Sequence, residues 1–402
     1  MLDSIKQFFH GKKTLILGYG REGQSSAKLL DSIGARYTVL DPVGETIAEE
    51  LLENHDIILK SPGIPRLYAK MPEQYLGKVT CQADLLVWFA EMPVIGVTGT
   101  KGKSTTSSLV YEILRALGEN VTLLGNIGVP PLDVLFAENT PDVIVCELSC
   151  HQLEFMRHSP DIAVLLNVFP EHLDHYRDFD AYKAAKENIF KYQKHDDVIL
   201  RPYLDNYAKV KYNSCLRGEH NYNNITTALY AVREYFRKQG KSYDENTAIT
   251  VAEQFTGLPH RLELFHTDGT GREFVNDSIS TIPQAVIQAL SAYPDTDCLI
   301  LGGMERNIPY DDLYAFLKSY SALETLILVP DTGLRIAKEM PEISARTIFT
   351  KDVRHAAEKA VQYAKKRVIF SPAAASYGFF KNFEERGDFF KTTILSLLKE
   401  LK

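Results

Sequence analysis

Residues 92–106 read MPVIGVTGTKGKSTT, an apolar strand that runs into a glycine-rich turn and then into the start of a helix. Glycines in such a turn let backbone N–H groups wrap around a phosphate, and the helix N-terminus contributes the positive end of its dipole. We expect Lys103 to reach the terminal phosphates of a nucleotide and the Ser104 hydroxyl to hold Mg²⁺. The spacing is a variant of the usual phosphate-binding loop, because Val97 stands where the first glycine belongs. The residues assigned to this nucleotide site are Gly99, Thr100, Lys101, Gly102, Lys103, Ser104 and Thr105.

The same order of strand, loop and helix recurs on both sides of this segment. Strand-like runs include LILGYG at residues 15–20, DIILK at 56–60, DVIVCEL at 142–148 and CLILGG at 298–303. Strands that alternate with helices are typical of parallel α/β sheets. The sequence therefore predicts an α/β protein of three domains, at residues 1–91, 92–256 and 257–402.

The composition excludes several classes of protein. The chain has 402 residues, and its 45 lysines and arginines are outnumbered by 52 aspartates and glutamates, which argues against nucleic acid as a partner. No apolar run approaches the roughly 18 residues that span a membrane, and the first residues lack the pattern of a signal peptide. The five cysteines contain no C-x-x-C pair. We therefore expect a cytoplasmic protein with reduced thiols, without disulfides and without membrane insertion.

A second glycine motif lies near the N-terminus. Residues 18–23 read GYGREG and match G-x-G-x-x-G, and Asp41 follows at the end of the next predicted strand. In dinucleotide-binding folds such a loop approaches a pyrophosphate, and an acid about twenty residues later binds a ribose. The residues by themselves thus indicate a dinucleotide site, as in an NAD-dependent dehydrogenase. The alternative is tight packing between strand and helix without any ligand.

Acidic and imidazole groups stand at the ends of two strands in the middle of the chain. Glu147 closes DVIVCEL, and His172 follows DIAVLLNV at residues 161–168. Because the carboxyl ends of parallel strands share one edge of a sheet, we expect both side chains near the phosphate loop, where they would help to hold Mg²⁺. Solvated loop positions or helix caps are the alternative for each.

A lysine falls on the apolar face of the next predicted helix. Lys186 is four residues after Tyr182 and three before Ile189, which places all three on one side of the helix. Snorkelling of the amine to the surface is the common explanation of such a position, and a catalytic role is the alternative.

The last third of the chain carries loop hydroxyls and guanidinium groups. Arg261 can pair with phosphate as a planar fork, and Asp277 can bind a ribose hydroxyl. Arg306 follows a glycine pair, and residues 371–377 read SPAAASY. These groups predict a site for a substrate carboxylate.

Ten motifs stand in order along nearly the whole chain. They include GYGREG, SPG at 61–63, GTKGKSTT, GNIG at 125–128, ELS at 147–149, AAK at 184–186, GLPHR at 257–261, NDS at 276–278 and SPAAAS at 371–376. Together they resemble the Mur ligases of peptidoglycan synthesis, most closely the branch that adds glutamate. The resemblance implies a Rossmann-like N-terminal domain for a UDP-sugar, a central ATPase domain and a Rossmann-like C-terminal domain that brings the amino acid. It also implies a cytoplasmic monomer, in which the first glycine loop holds UDP rather than NAD.

The resemblance further implies individual roles. The UDP-sugar would meet Gly18, Gly20, Asp41, Gly63 and Asn126. ATP would be bound by the phosphate loop, with Lys103 on the γ-phosphate, and by Asn224, Arg261 and Asp277. Magnesium would be held by Ser104, Glu147, His172 and a carbamylated Lys186, and Lys103, His172 and Lys186 would be catalytic. The glutamate would lie among Thr281, Arg306, Ser376, Tyr377 and Phe383.

The activity implied by the resemblance is an ATP-dependent amide ligation. ATP would phosphorylate the L-alanyl carboxylate of UDP-N-acetylmuramoyl-L-alanine, and the amine of D-glutamate would attack the resulting acyl phosphate. The chain has Ile279 and Ile282 where lysine and asparagine are common in this branch, and Arg306 where lysine is common. A related ligase of the Mur or folylpolyglutamate type that adds another amino acid is the nearest alternative. An NAD-dependent dehydrogenase and a nucleotide-regulated binding protein without turnover are the alternatives from other classes.

Overall fold

Three β-sheets flanked by helices are present in the computed structural model, which describes residues 1–64, 67–172, 175–205, 210–214, 216, 219–306, 308–340 and 343–400. Most strands are short apolar runs, buried on both faces because helices cover both sides of a parallel sheet. The predicted α/β class is confirmed.

The first sheet has four parallel strands in the order β2-β1-β3-β4. These strands are β1 Lys13–Leu17, β2 Arg36–Leu40, β3 Ile57–Lys60 and β4 Val79–Thr80. The helices of this region are α1 Leu2–Phe9, α2 Arg21–Ser32, α3 Glu49–Glu53 and α4 Gln82–Phe89. Two 3-10 helices, Leu67–Ala69 and Glu73–Lys78, precede β4.

The second sheet has five parallel strands in the order β6-β7-β5-β8-β9. They are β5 Val94–Thr98, β6 Val121–Gly125, β7 Val143–Glu147, β8 Ile162–Leu165 and β9 Val198–Leu200. The helices of this region are α5 Lys103–Ala116, α6 Cys150–Leu153, α7 Phe179–Lys191, α8 Glu219–Lys238 and α9 Glu245–Gln254. A 3-10 helix at Pro131–Phe136 precedes β7. The central strand β5 ends at the phosphate loop, between the ends of β7 and β8.

The third sheet has six strands in the order β10-β11-β15-β12-β13-β14, all parallel except for the antiparallel pair β10 and β11. They are β10 Glu263–Thr267, β11 Glu273–Asn276, β12 Cys298–Gly302, β13 Thr325–Val329, β14 Arg346–Phe349 and β15 Arg367–Phe370. The helices of this region are α10 Pro283–Ala292, α11 Asp311–Ser319, α12 Thr332–Glu339, α13 Val353–Tyr363 and α14 Phe383–Glu400.

Two compact units contain these sheets. The first consists of Met1–Ser214 and Glu219–Phe255, and the second is built from Thr256–Lys402. In the first unit one apolar cluster joins both sheets, since Ile16 of β1 and Ile144 of β7 belong to it. In the second unit separate apolar clusters line the sheet. The division into three domains at residues 91 and 256 stays a prediction.

The sequence analysis did not predict five strands, and all five are at sheet edges: β4, β6, β9, β10 and β14. β9, β10 and β14 carry exposed or half-exposed residues, whereas β5, β7, β12 and β13 are buried throughout. An edge strand is covered less completely, so its sequence lacks the continuous apolar run that marks a central parallel strand. In the part of the chain that the structure describes, none of the helices is both long and apolar enough to cross a membrane.

Candidate nucleotide and metal site

The phosphate loop is held by backbone and side-chain contacts from the end of β8. The Thr100 N–H donates to Asn167 O at 2.7 Å, and the Lys101 N–H donates to Asn167 Oδ1 at 2.8 Å. The Thr100 hydroxyl lies 2.9 Å from the hydroxyl of Tyr182, on α7. Helix α5 begins at Lys103 and has no side-chain cap. Its first N–H groups are therefore available to an anion, as the sequence predicts.

Gly102 is needed in the loop for two reasons. Its φ is +87°, in the left-handed region that favours glycine. A Cβ atom here would lie 2.6 Å from Asn224 Oδ1, so Asn224 is packed directly against the loop. Asn224 is on α8, is buried, and donates from Nδ2 to Asn221 Oδ1 at 3.0 Å. The structure thus packs Asn224 against the phosphate loop, and its predicted contact with ATP stays a prediction.

Two lysine amines converge on one backbone carbonyl of the loop. Lys103 Nζ donates to Gly99 O at 3.0 Å and to Thr100 O at 3.1 Å. Lys186 Nζ donates to the same Gly99 O at 2.8 Å. The two positive groups therefore lie side by side at the place where a phosphate would bind, and an anion between them would relieve their repulsion.

Lys186 is buried rather than snorkelling. It is on α7, its side chain is 1% exposed, and its amine lies 5.0 Å from the centre of the Tyr182 ring. Burial, reinforced by the charge of Lys103, lowers the pKa of Lys186 from 10.5 to about 8. The neutral, nucleophilic form of the amine is thus far more populated near neutral pH than it is for a solvated lysine. The snorkelling interpretation is wrong, because α7 packs this side of the helix against the phosphate loop.

Glu147 presents a carboxylate at the same sheet edge. It ends β7, aligned with Val97 of β5, and is 1% exposed. Asn126 Nδ2 donates to Glu147 Oε1 at 2.7 Å, whereas Oε2 is buried without a hydrogen-bond partner. A buried carboxylate oxygen without a donor is unfavourable unless a cation takes it. With the Ser104 hydroxyl on α5, these oxygen donors fit the preference of Mg²⁺.

His172 reaches the site from the loop after β8. Its φ is +56°, a left-handed conformation that is uncommon outside glycine. The ring centre lies 6.1 Å from that of Tyr182, the ring that Lys186 also contacts. His172 Nε2 is 4.0 Å from a carboxylate oxygen of Glu171, and Glu171 in turn pairs with Lys101 at 2.7 Å. The predicted group of Ser104, Glu147, His172 and Lys186 thus surrounds the phosphate loop, and metal binding by it stays a prediction.

The first glycine loop forms a tight junction between β1, α2 and β3. A Cβ on Gly23 would lie 2.1 Å from Gly18 O, and the Ser61 hydroxyl donates to Gly18 O at 2.9 Å. Gly20 precedes α2, which also has no side-chain cap, and Gly63 follows β3 with open space around it. Gly18, Gly20 and Gly63 thus lie at one sheet edge, and so does Asp41, which is exposed after β2. Their contact with a ligand stays a prediction.

Contacts between the two sheets of the first unit link this edge to the metal residues. Gln152 Nε2 donates to Glu22 Oε1 at 2.7 Å, and Arg21 Nη1 donates to Gly128 O at 3.1 Å. Burial raises the pKa of Glu22 to about 7. Asn126 donates to the Glu147 carboxylate, a contact that the local motif did not indicate, and its predicted contact with the UDP-sugar stays a prediction.

In the second unit, the structure brings some of the predicted carboxylate-binding residues together. Arg306 Nη2 donates to Thr281 O at 2.6 Å, so these two lie side by side. Ser376 is buried and lines a cavity of about 310 Å³, whereas Tyr377 is 60% exposed. Phe383 begins α14, and its carbonyl accepts from the Ser278 hydroxyl. Binding of an amino acid by these residues stays a prediction.

Arg386 lines the same cavity and was missed by the sequence analysis. It is 2% exposed and donates to Ser278 Oγ, Ser278 O and Ala374 O at 2.7–3.0 Å. Burial lowers its pKa to about 10. These partners are neutral, so a bound carboxylate would be a better partner than any of them. The signal in the sequence was an arginine on the apolar face of α14, between Phe383 and Phe390.

Asp277 and Arg261 differ in their surroundings. Asp277 is buried, its Oδ2 accepts from Ser280 and Ser371, and its Oδ1 accepts from the N–H of Leu262. Burial raises its pKa to about 6. Arg261 is exposed. The Asp277 carboxylate thus holds three segments of the second unit together, and a role of either residue in ATP binding stays a prediction.

A family model, related sequences and solved structures all match this chain. Residues 97–211 match the model of the Mur ligase middle domain. The chain is 31% identical to the UDP-N-acetylmuramoylalanine–D-glutamate ligase of Streptococcus sanguinis and 32% identical to that of Streptococcus gordonii, over 98% of this chain and 98% of each relative. Among solved structures, the MurF ligase of Thermotoga maritima in complex with ADP matches with a TM-score of 0.56 at 17% identity, over 99% of this chain and 97% of that one.

Proposed function

Since the chain belongs to the Mur ligase family, we propose that it joins D-glutamate to UDP-N-acetylmuramoyl-L-alanine, with ATP as the energy source, in peptidoglycan precursor synthesis. Relatives named UDP-N-acetylmuramoylalanine–D-glutamate ligase match the chain over nearly its full length. Because the chain belongs to this ligase family, the alternative of an NAD-dependent dehydrogenase is wrong. Action in the cytoplasm as a monomer of three domains, at residues 1–91, 92–256 and 257–402, is part of the proposal.

The observation that carries this proposal is the convergence of Lys103 and Lys186 on Gly99 O, next to the buried, half-partnered carboxylate of Glu147. The Lys103 ammonium and an uncapped helix N-terminus suit a triphosphate, and the Glu147 carboxylate suits the metal cation that accompanies it. A carboxylate substrate is a poor acyl donor, so activation by phosphoryl transfer is the chemistry that this arrangement supports.

Each residue of the site has a distinct task in the proposed reaction. The N–H groups at the start of α5 and the Lys103 ammonium hold the phosphates and stabilise the negative charge that develops on the transferred group. The terminal phosphorus forms a bond to an oxygen of the L-alanyl carboxylate and loses its bond to ADP. The amine of glutamate then attacks the acyl carbon, loses a proton, and expels phosphate. Asn126 keeps the Glu147 carboxylate oriented throughout.

Magnesium, when bound by Ser104, Glu147, His172 and Lys186, would neutralise phosphate charge and orient the reacting oxygens. Lys186 can take part only as an anion, so we propose that it is carbamylated. Its neutral amine nitrogen bonds to the carbon of CO₂, and the displaced proton goes to solvent. The lowered pKa of Lys186, about 8, makes the neutral amine available for this step.

The remaining contacts are proposed from the positions of the residues. Gly18, Gly20, Asp41, Gly63 and Asn126 would face the UDP-sugar at the first sheet edge. Asn224, Arg261 and Asp277 would contact ATP. Thr281, Arg306, Ser376, Tyr377 and Phe383 would surround the glutamate in the second unit.

An isotope experiment tests the proposed reaction. The enzyme is incubated with ATP, glutamate and UDP-N-acetylmuramoyl-L-alanine that carries ¹⁸O in the alanyl carboxylate, and both products are analysed by mass spectrometry. We expect one ¹⁸O in the released phosphate, and a product with D-glutamate but not with L-glutamate. Lys103→Ala is the matched control and should give neither product. Unlabelled phosphate together with amide formation would refute the acyl-phosphate step, and preference for another amino acid would refute the substrate assignment.

A further inference from the structure

Beside the magnesium residues lies a group of side chains that the proposed reaction does not use. His151 is on α6, Glu154 directly follows that helix, and His175 lies between β8 and α7. Two imidazole nitrogens and one carboxylate oxygen of these residues lie within 4.8 Å of one another. We propose that His151, Glu154 and His175 bind one divalent transition-metal ion, such as Zn²⁺, at a site distinct from that of Mg²⁺.

The geometry of the three side chains is close to that of a zinc site. His175 Nε2 and Glu154 Oε2 are 3.2 Å apart, and the rings of His151 and His175 meet edge to face with centres 4.4 Å apart. In a tetrahedral site with bonds of about 2.0–2.1 Å, ligand atoms lie about 3.4 Å from each other. The His175–Glu154 pair already has this spacing, and every other pair is at most about 1.4 Å wider than it.

An independent observation is the state of His151. Its Nδ1 atom is buried without a hydrogen-bond partner. The ring is held in place by Tyr176, which stacks on it at 6.0 Å between centres and 4° between planes. A buried ring nitrogen without a partner is unfavourable, and a metal ion would supply the missing interaction. The side chains of His175 and Glu154 are only 4% and 12% exposed, so these ligands are already largely desolvated.

An ion can reach this group from solvent. Glu154 and Tyr176 line an open cleft of about 440 Å³, together with Ala185 and Asn188 of α7. The cleft gives an entry path, and a water molecule from it would complete the coordination.

The donor set predicts selectivity. Imidazole nitrogens favour Zn²⁺, Co²⁺ and Ni²⁺, whereas Mg²⁺ favours oxygen ligands. Excess Mg²⁺ should therefore not displace the transition metal from this site. His151 also lies near Cys150 and His172, whose ligand atoms form a second group within 4.8 Å that includes a thiol. A soft thiolate donor would distinguish that alternative by its spectrum.

Titration of the full chain with Co²⁺, in the presence of excess Mg²⁺, tests the proposal through the visible absorption of the bound ion. We expect one Co²⁺ per chain, with the bands of a tetrahedral nitrogen and oxygen site and without a thiolate charge-transfer band. His151→Phe keeps the aromatic stack on Tyr176, and His175→Gln keeps a polar group opposite Glu154. Each should weaken Co²⁺ binding by about tenfold or more, since even the loss of a residue that only supports a ligand has an effect of this size.

Two matched controls accompany these variants. His195→Gln removes a fully exposed histidine elsewhere in the unit, and Cys150→Ser removes the neighbouring thiol. Both should bind Co²⁺ as the wild type does. Unchanged binding in His151→Phe and His175→Gln would overturn the proposal, and so would loss of binding in Cys150→Ser. The measurement uses no ligase substrate, so its outcome is independent of the proposed function.

Discussion

Replacement of Lys186 by methionine should make the first unit more stable at neutral pH and should remove a specific pH dependence. Methionine fills nearly the same volume in the buried position but carries no charge. The pKa of Lys186 lies at about 8 in the folded chain and at 10.5 when the amine is solvated. Each tenfold change in proton affinity corresponds to about 1.4 kcal/mol. Folding with a charged Lys186 is therefore about 3 kcal/mol less favourable than folding with a neutral one.

The sign of the pH dependence follows from proton binding. Below pH 8 the amine is charged in both the folded and the unfolded chain, so the folded chain carries the full free-energy cost of burying the charge. Between pH 8 and 10.5 the folded chain has lost the proton while the unfolded chain still holds it, so wild-type stability rises with pH. Above 10.5 the penalty is absent. The gain in unfolding free energy from Lys186→Met should thus be largest near pH 7 and should shrink towards pH 10. At every pH the variant also loses about 1 kcal/mol, because methionine cannot make the hydrogen bond to Gly99 O.

The assay is urea unfolding of both proteins from pH 7 to 10, in metal-free and CO₂-free buffer. The fluorescence of Trp88, the single tryptophan of the chain, reports on the unit that contains Lys186. Because the charge of Lys103 contributes to the lowered pKa, the pH-dependent range should move upward in a Lys103→Met background. A stability difference between wild type and Lys186→Met that stays constant over this pH range would refute the reasoning.

Three further predictions concern the phosphate loop and the neighbouring carboxylate of Glu147. Gly102→Ala should lose about 1–2 kcal/mol of stability because φ is +87°, and ATP should bind more weakly because the methyl group displaces Asn224; calorimetry measures both. Glu147→Gln should raise the Mg²⁺ concentration needed for half-maximal activity by about tenfold or more, since the partnerless oxygen is lost; an unchanged Mg²⁺ titration would contradict this. Lys103→Ala should lose turnover while the circular dichroism spectrum stays the same, and normal kinetics would exclude its role at the phosphates.

The fold and the phosphate loop could be read from local sequence. A central parallel strand such as β5 is buried on both faces, so its composition is apolar throughout, and the glycines of the loop follow it directly in the chain. The position of Lys186 on the apolar face of α7 likewise follows from the period of one helix. Edge strands such as β10 were not predicted, because a partly buried strand has a mixed polar and apolar composition.

Sequence by itself determined where the central strands and the phosphate loop lie and that Lys186 is on the apolar face of its helix, because each depends on neighbours within about one or two turns. Only the tertiary structure decided which distant groups meet. Lys186 reaches Gly99 across 87 positions of the chain, and Asn126 reaches Glu147 across 21. The buried guanidinium of Arg386 and the grouping of His151 with His175 also depend on segments that are far apart in the chain. Such contacts result from the packing of separate elements around a common sheet edge, and no local pattern encodes their distances or the pKa values that follow from them.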